Sequence, residues 1–160
     1  MAGNEELNQE NLQDLINRYI RVSFSVTKKG ESLIKQQISE DLTSDQHYTL
    51  RYIKHADNCT STELAEAFDV QKSAITAIIT RLTDKGFIKR TRDPNDRRVV
   101  YLTLTDKGNE LFNQSEERIH HLVERFITKF NDKEIVAFIE TYEKLEKMLI
   151  DIKEGRLEEE

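Results

Sequence analysis

Residues 60–108, TSTELAEAFDVQKSAITAIITRLTDKGFIKRTRDPNDRRVVYLTLTDKG, decide how the chain is read. They spell two short helices, a glycine stop, and two strands joined by a basic turn. From about Lys72 to Lys85 the apolar residues are Ile75, Ile78, Ile79 and Leu82, the i, i+3, i+4, i+7 spacing of one buried helix face. The opposite face carries Ser73, Thr76, Ala77 and Thr80, flanked by Lys72 and Arg81. Small side chains let a helix approach base edges in a DNA major groove, hydroxyls meet bases or phosphates, and cations meet phosphates. Gly86 stands where a C′ glycine ends a helix in the left-handed conformation, with Lys85 near the negative end of the dipole. Phe87–Arg92 and Val99–Leu104 then read as strands. Between them, Asp93-Pro94-Asn95-Asp96-Arg97-Arg98 holds the only proline of the chain and two residues suited to a turn. The predicted unit is a helix-turn-helix followed by a hairpin with arginines at its tip, a winged helix-turn-helix.

Upstream, Asp69-Val70 is the tight turn between the two helices, and Leu64, Ala65 and Phe68 face the core. Thr60, Ser61 or Thr62 can cap the short helix over 63–68. Thr43 with Gln46 three residues on fits a capping box, and opens a helix running to about Ile53 with Tyr48, Leu50 and Tyr52. A first helix starts near Asn8, its stripe being Leu12, Leu15, Ile16, Tyr19, Ile20, Val26, Leu33 and Ile34. Gly30 lies inside it, either permitting a close helix crossing or a bend, or merely tolerated at about 1 kcal/mol. Beyond the wing a long helix carries Ile119, Leu122, Val123, Phe126, Ile127 and Phe130, and Asn131-Asp132 breaks it. A last helix carries Ile135, Phe138, Ile139, Tyr142, Leu145, Leu149 and Ile152. The first few residues and the tail from Glu154 are expected to fray. The terminal stripes exceed what a small reading head can cover, so they predict pairing with a second copy of the chain; the alternative is an intramolecular three-helix packing.

At 160 residues the chain is one domain, or one protomer of an intertwined assembly. Its net charge of −6 is unevenly placed. Residues 71–98 hold eight Lys or Arg against three Asp, giving +5, which leaves 16 basic against 27 acidic residues elsewhere, giving −11. A cationic island on an anionic body orients docking onto phosphates. Cys59 is the only cysteine and cannot form an internal disulfide. The acidic, polar start does not have the form of a signal peptide, and no apolar run approaches the roughly 20 residues that span a bilayer. Cytoplasmic location and no membrane partner are the expectation.

The stretch resembles the MarR family of bacterial transcriptional regulators. The carriers are Leu64-Ala65, Ser73 to Leu82, Lys85-Gly86-Phe87-Ile88, the wing Asp93 to Arg98, and Leu102-Thr103-Leu104-Thr105-Asp106-Lys107-Gly108; the Leu42-Thr43…Gln46 opening extends the match upstream. One departure is Gln71, a poor N-cap where the family often has a serine-like one. The resemblance implies a mainly α fold with a small β-wing (α+β). In it a winged helix-turn-helix over 42–108, with recognition helix 72–85 and wing 87–104, is flanked by dimerisation helices over 8–38 and 109–153. It also implies a homodimeric repressor of a palindromic double-stranded operator, with half-sites about 10 bp apart. In that reading Ser73, Thr76, Ala77 and Thr80 face base edges, and Gln71 can pair with adenine if it points inward. Lys72, Arg81 and Lys89 meet phosphates, with Arg97 and Arg98 at the wing tip. By resemblance Asp96 orients Arg98 as a minor-groove finger; the plainer alternative is that Asp96 only shapes the turn.

The family resemblance further implies release from DNA by a small aromatic or anionic effector held between dimer helices and reading head. By position, Tyr19, Phe24, His47, Tyr48, Arg51, Tyr52 and Phe112 are the candidates, with Arg51 or His47 receiving an anion; the alternative is that these aromatics are core. No cofactor and no metal site are expected. A redox or metal response is the weaker variant: Cys59 lies just before the helix-turn-helix, His120 and His121 are adjacent and point about 100° apart, and His47 and His55 are isolated in sequence. No Gly-rich phosphate loop, Cys-x-x-Cys, His-Glu-x-x-His or Gly-x-Ser-x-Gly speaks for an enzyme. A winged-helix adaptor that binds protein rather than DNA is the rival, although it would be expected to lose the wing arginines that this chain keeps.

Overall fold

The computed structural model describes residues 9–156, so the fraying expected of the extreme termini lies largely outside it. The order is α1 (Gln9–Lys35), α2 (Ser44–His55), α3 (Ser61–Ala67), α4 (Lys72–Asp84), β1 (Ile88–Arg92), β2 (Val100–Leu104), α5 (Asp106–Ile127) and α6 (Asp132–Lys153). The fold is thus mainly helical with one small antiparallel hairpin, a winged helix. Contacts divide the chain into Met1–Ile119 and His120–Glu160, and α5 runs through the division.

Local chemistry sets most boundaries. Thr43 caps α2 by accepting the Gln46 N–H, while the Gln46 side chain returns to the Thr43 N–H, a reciprocal capping box. Of the three candidate caps for α3, Thr60 is the one used, in the same arrangement with Glu63. Asp69, at φ 54°, makes the turn into α4. Gly86, at φ 74°, ends α4 as the left-handed glycine its sequence position predicts. Some boundaries differ from expectation: α3 spans Ser61–Ala67 rather than 63–68. α5 stops at Ile127, so Phe130 lies past its end; Lys129 and Phe130 make tight i→i+3 bonds to Phe126 and Ile127. Asn131 then caps α6 with Glu134.

In the first unit one core joins the reading head. Leu50 and Ile53 of α2, Leu64 of α3, Ile75, Ile79 and Leu82 of α4, Phe87, Ile88 and Leu102 of the hairpin, and Phe112 of α5 are all buried. The stripe predicted for α4 is therefore its core face. Apart from its C-terminal Ile34, packed against the core, α1 carries its apolar stripe exposed, with Ile20 at 61% and Val26 at 62%. Nothing within 4 Å would meet a Cβ at Gly30, so within one chain it is a tolerated glycine rather than a crossing point. In the second unit α6 has no buried residue, and Phe138 stacks on Tyr142 at 5.5 Å.

The hairpin is joined to α5 by a compact knot. The Thr105 N–H donates to the Phe87 carbonyl at 3.0 Å and its hydroxyl to the Gly86 carbonyl at 2.6 Å. The same hydroxyl oxygen accepts the Gly108 N–H at 3.1 Å. Lys107 reaches the Lys85 carbonyl at 3.0 Å and lies over the Phe87 ring. Gly108 sits where a Cβ would fall 1.9 Å from the Phe87 carbonyl oxygen, so no larger residue fits without movement of the backbone.

Candidate nucleic-acid interface

Two elements display the basic stretch. On α4, Lys72, Ser73, Thr76, Ala77, Thr80 and Arg81 are exposed, opposite buried Ile75, Ile79 and Leu82. Gln71 is the N-cap, is exposed, and makes no side-chain cap bond, which leaves its amide available. Thr76 donates its hydroxyl to the Lys72 carbonyl at 2.7 Å. Its methyl group and oxygen lone pair remain for a partner. The Asp69 turn that leads from α3 to α4 is closed by the Val70 N–H, which donates to the Ala65 carbonyl at 3.1 Å.

In the wing, β1 pairs with β2 in the register Ile88↔Leu104 to Arg92↔Val100. The hairpin is tied to the reading head on its other edge, where the Leu102 N–H donates to the Cys59 carbonyl at 2.8 Å. Lys89, Arg97 and Arg98 are exposed. Asp96 Oδ1 accepts both the Arg98 backbone N–H at 3.0 Å and its Nε–H at 3.2 Å, and the Arg98 side chain is 93% exposed. The Asp96–Arg98 pair expected by resemblance is formed. Asp93 was not among the expected site residues, yet its Oδ1 accepts the N–H groups of Asn95 at 2.7 Å and Asp96 at 2.8 Å. These bonds, from Asp96 first and Asn95 second, pull the Asp93 carboxyl below its ordinary pKa, and the influence of that carboxylate pushes the Tyr101 hydroxyl up. An Asp followed by Pro-Asn-Asp is a legible turn signal, so this role could have been found.

The seven effector candidates do not form one group. Tyr19 and Phe24 are exposed on α1, at 53% and 67%, and Tyr48 on α2 at 39%. Tyr52 packs edge-on against Phe68 at 6.2 Å. Phe112 is a core residue, 2% exposed, with His47 stacked on it at 5.3 Å. His47 and Arg51 do meet, through Glu116 of α5: His47 Nε2 lies 3.0 Å from one carboxylate oxygen and Arg51 bonds the other. Glu116 is 65 or more residues away in sequence and carried no signal. Next to this bridge Lys54 reaches Asn109 and Asn113, both at 2.9 Å, and the Ser39 N–H donates to the buried Ser115 hydroxyl at 3.2 Å.

His47 is fully buried and its Nδ1 has no hydrogen-bond partner. Burial lowers its pKa, outweighing the bond to Glu116, which raises it. The unfolded chain then takes up a proton, near the ordinary pKa of 6.5, that the folded chain refuses. Stability contributed by neutral His47 is present above that pKa and is lost as pH falls toward the depressed value. We expect the urea midpoint to drop between pH 7.5 and pH 5.5, and His47→Gln to reduce that drop. An unchanged pH slope in the variant would remove His47 as its source.

Cys59 is buried, and burial first, with Glu63 second, raises its thiol to about 11. It is a protonated core thiol at neutral pH, which does not suit a redox trigger. Among the described residues no three His, Cys, Asp or Glu lie close enough to hold a metal ion, and no helix is long and apolar enough to cross a membrane.

Known proteins share this fold. The family model described as MarR family matches residues 42–100. The multiple antibiotic resistance protein MarR of Salmonella typhimurium is 32% identical over 131 residues, spanning 79% of this chain and 91% of that protein. Among solved structures, a mutant MarR from E. coli complexed with operator DNA is 26% identical with a TM-score of 0.70, covering 82% of this chain and 96% of that one. Streptococcus pneumoniae FabT in complex with DNA is 25% identical with a TM-score of 0.72, covering 88% and 99%.

Proposed function

The chain belongs to the MarR family and is a DNA-binding transcriptional regulator. On that premise we propose that it is a cytoplasmic homodimer which represses by occupying a palindromic operator, catalyses no reaction, and lets go when a small aromatic or anionic effector binds. Residues 42–108 form the reading region, and 8–38 with 109–153 the dimerisation region. The exposed apolar residues of α1 and α6 support that division, because faces of this kind are costly to leave in water.

One observation carries the DNA reading: the hydroxyl-bearing face of α4 and the Asp96-held Arg98 are both exposed within a stretch of net charge +5. Ser73, Thr76, Ala77 and Thr80 then read base edges, with Gln71 available to adenine. Lys72, Arg81 and Lys89 bind phosphate, which gives affinity without sequence information. Arg97 and Arg98 flank the wing tip, where Arg98 enters a minor groove. For the effector, the half-exposed Arg51 is the anion-receiving side chain, and Tyr19, Phe24 and Tyr48 are the aromatic candidates that remain exposed; His47, Tyr52 and Phe112 serve as packing.

Selection of bound duplexes from a random pool tests the reading. We expect a palindrome with half-sites about 10 bp apart, an affinity that falls steeply with salt, and a dimer by sedimentation. A monomer with no preference among duplexes at low salt would favour the protein-binding adaptor instead. Phenolic and carboxylic compounds screened for release of the selected operator then test the effector; release that survives Arg51→Ala unchanged would remove Arg51 from that role.

A further inference from the structure

We propose that Asp93 is a positioning residue for DNA binding, holding the turn that presents Arg98. The proposal rests on the reading of Arg98 as a groove contact given above. Pro94 has no N–H to give, so the first amides available after Asp93 are those of Asn95 and Asp96. The Asp93 carboxylate accepts both, at 2.7 and 2.8 Å. The backbone closes around them, with Asp93 N–H to the Val99 carbonyl at 3.0 Å and Val99 N–H to the Asp96 carbonyl at 2.9 Å. The residue fixed by this arrangement is Asp96, and Asp96 in turn fixes Arg98 through its backbone N–H and its Nε–H.

Two carboxylates therefore act in series on one guanidinium. An arginine that is 93% exposed would otherwise sample many rotamers and lose that freedom on docking. Holding the turn reduces the loss before DNA arrives.

Charge and position make opposite predictions. Removing a carboxylate from a DNA-facing tip should, by electrostatics alone, tighten binding to phosphates. If Asp93 positions Arg98, Asp93→Ala instead weakens operator binding, by about three- to tenfold for one arginine rotamer per wing. Asp93→Asn, which keeps an oxygen acceptor for both amides, should restore most of it. In an Arg98→Ala background, Asp93→Ala should cost nothing further.

Fluorescence polarisation of the wild type and these four variants on the selected operator, with thermal melts to follow the fold, decides the matter. Equal loss from Asp93→Ala with and without Arg98, or tighter binding, overturns the proposal. An unchanged affinity for Arg98→Ala alone sinks the groove reading and this proposal with it. Loss in Arg98→Ala with none in Asp93→Ala sinks only the positioning role. Should Asp93→Ala melt early, Asp93→Glu keeps the charge while moving the carboxylate one methylene away from the two amides. It is expected to weaken binding by up to about threefold and only when Arg98 is present; loss without Arg98 would count against the proposal.

Discussion

Gly108→Ala is expected to lower unfolding stability by about 3 kcal/mol, at the upper end of overpacking penalties. The new methyl group would sit 1.9 Å from the Phe87 carbonyl oxygen and 2.8 Å from its carbon. Both are backbone atoms, so no side-chain rotamer change relieves the clash. The start of α5 must separate from the hairpin, and that stretches the Thr105 bonds to Phe87 and Gly86. Each such bond contributes about 1 kcal/mol, so the loss takes a large part of a typical margin of about 5–15 kcal/mol. Urea denaturation checks this, with a lower midpoint at unchanged slope as the expected outcome. Gly30→Ala is the control, since it meets nothing within 4 Å. If the two substitutions proved equally harmless, the close approach at Gly108 would be refuted.

Arg98→Ala is expected to weaken operator binding by about 1–3 kcal/mol per contact while leaving the melting temperature where it was. The two expectations follow from one fact. A side chain 93% exposed, bonded only to its neighbour Asp96 in the turn, supports no packing. Exposed substitutions of this kind change stability by about 0.5 kcal/mol or less. At a wing tip the guanidinium suits a narrow, negative minor groove, and a dimer presents it twice. Polarisation titrations at one fixed salt concentration measure the loss. Wild-type affinity in the folded variant would contradict the assignment.

Where local rules act, the reading of the chain and the structure coincide. The α4 stripe, the Gly86 stop and the Thr43 capping box each depend on residues within about one or two helical turns. Arg98 and Asp96 are two residues apart, so their pair was also legible. Departures appear where distant residues compete. Phe112 and Tyr52 have the aromatic character of a binding crevice, yet the core takes the first and Phe68 the second. Phe130 continues a helical stripe on paper, but the last turn of α5 tightens before it.

Amino-acid order alone determined which face of α4 is apolar, where α2 is capped and α4 stops, and where the cations cluster. These are short-range properties, set by side-chain period and backbone preference. Only the tertiary structure decided that Glu116 bridges His47 and Arg51, that His47 is buried with an unpaired nitrogen, and that Gly108 touches the Phe87 carbonyl. Such contacts join segments some 20 to 70 residues apart, and no periodicity along a chain encodes which distant carboxylate or carbonyl will arrive at a given side chain once the core has closed.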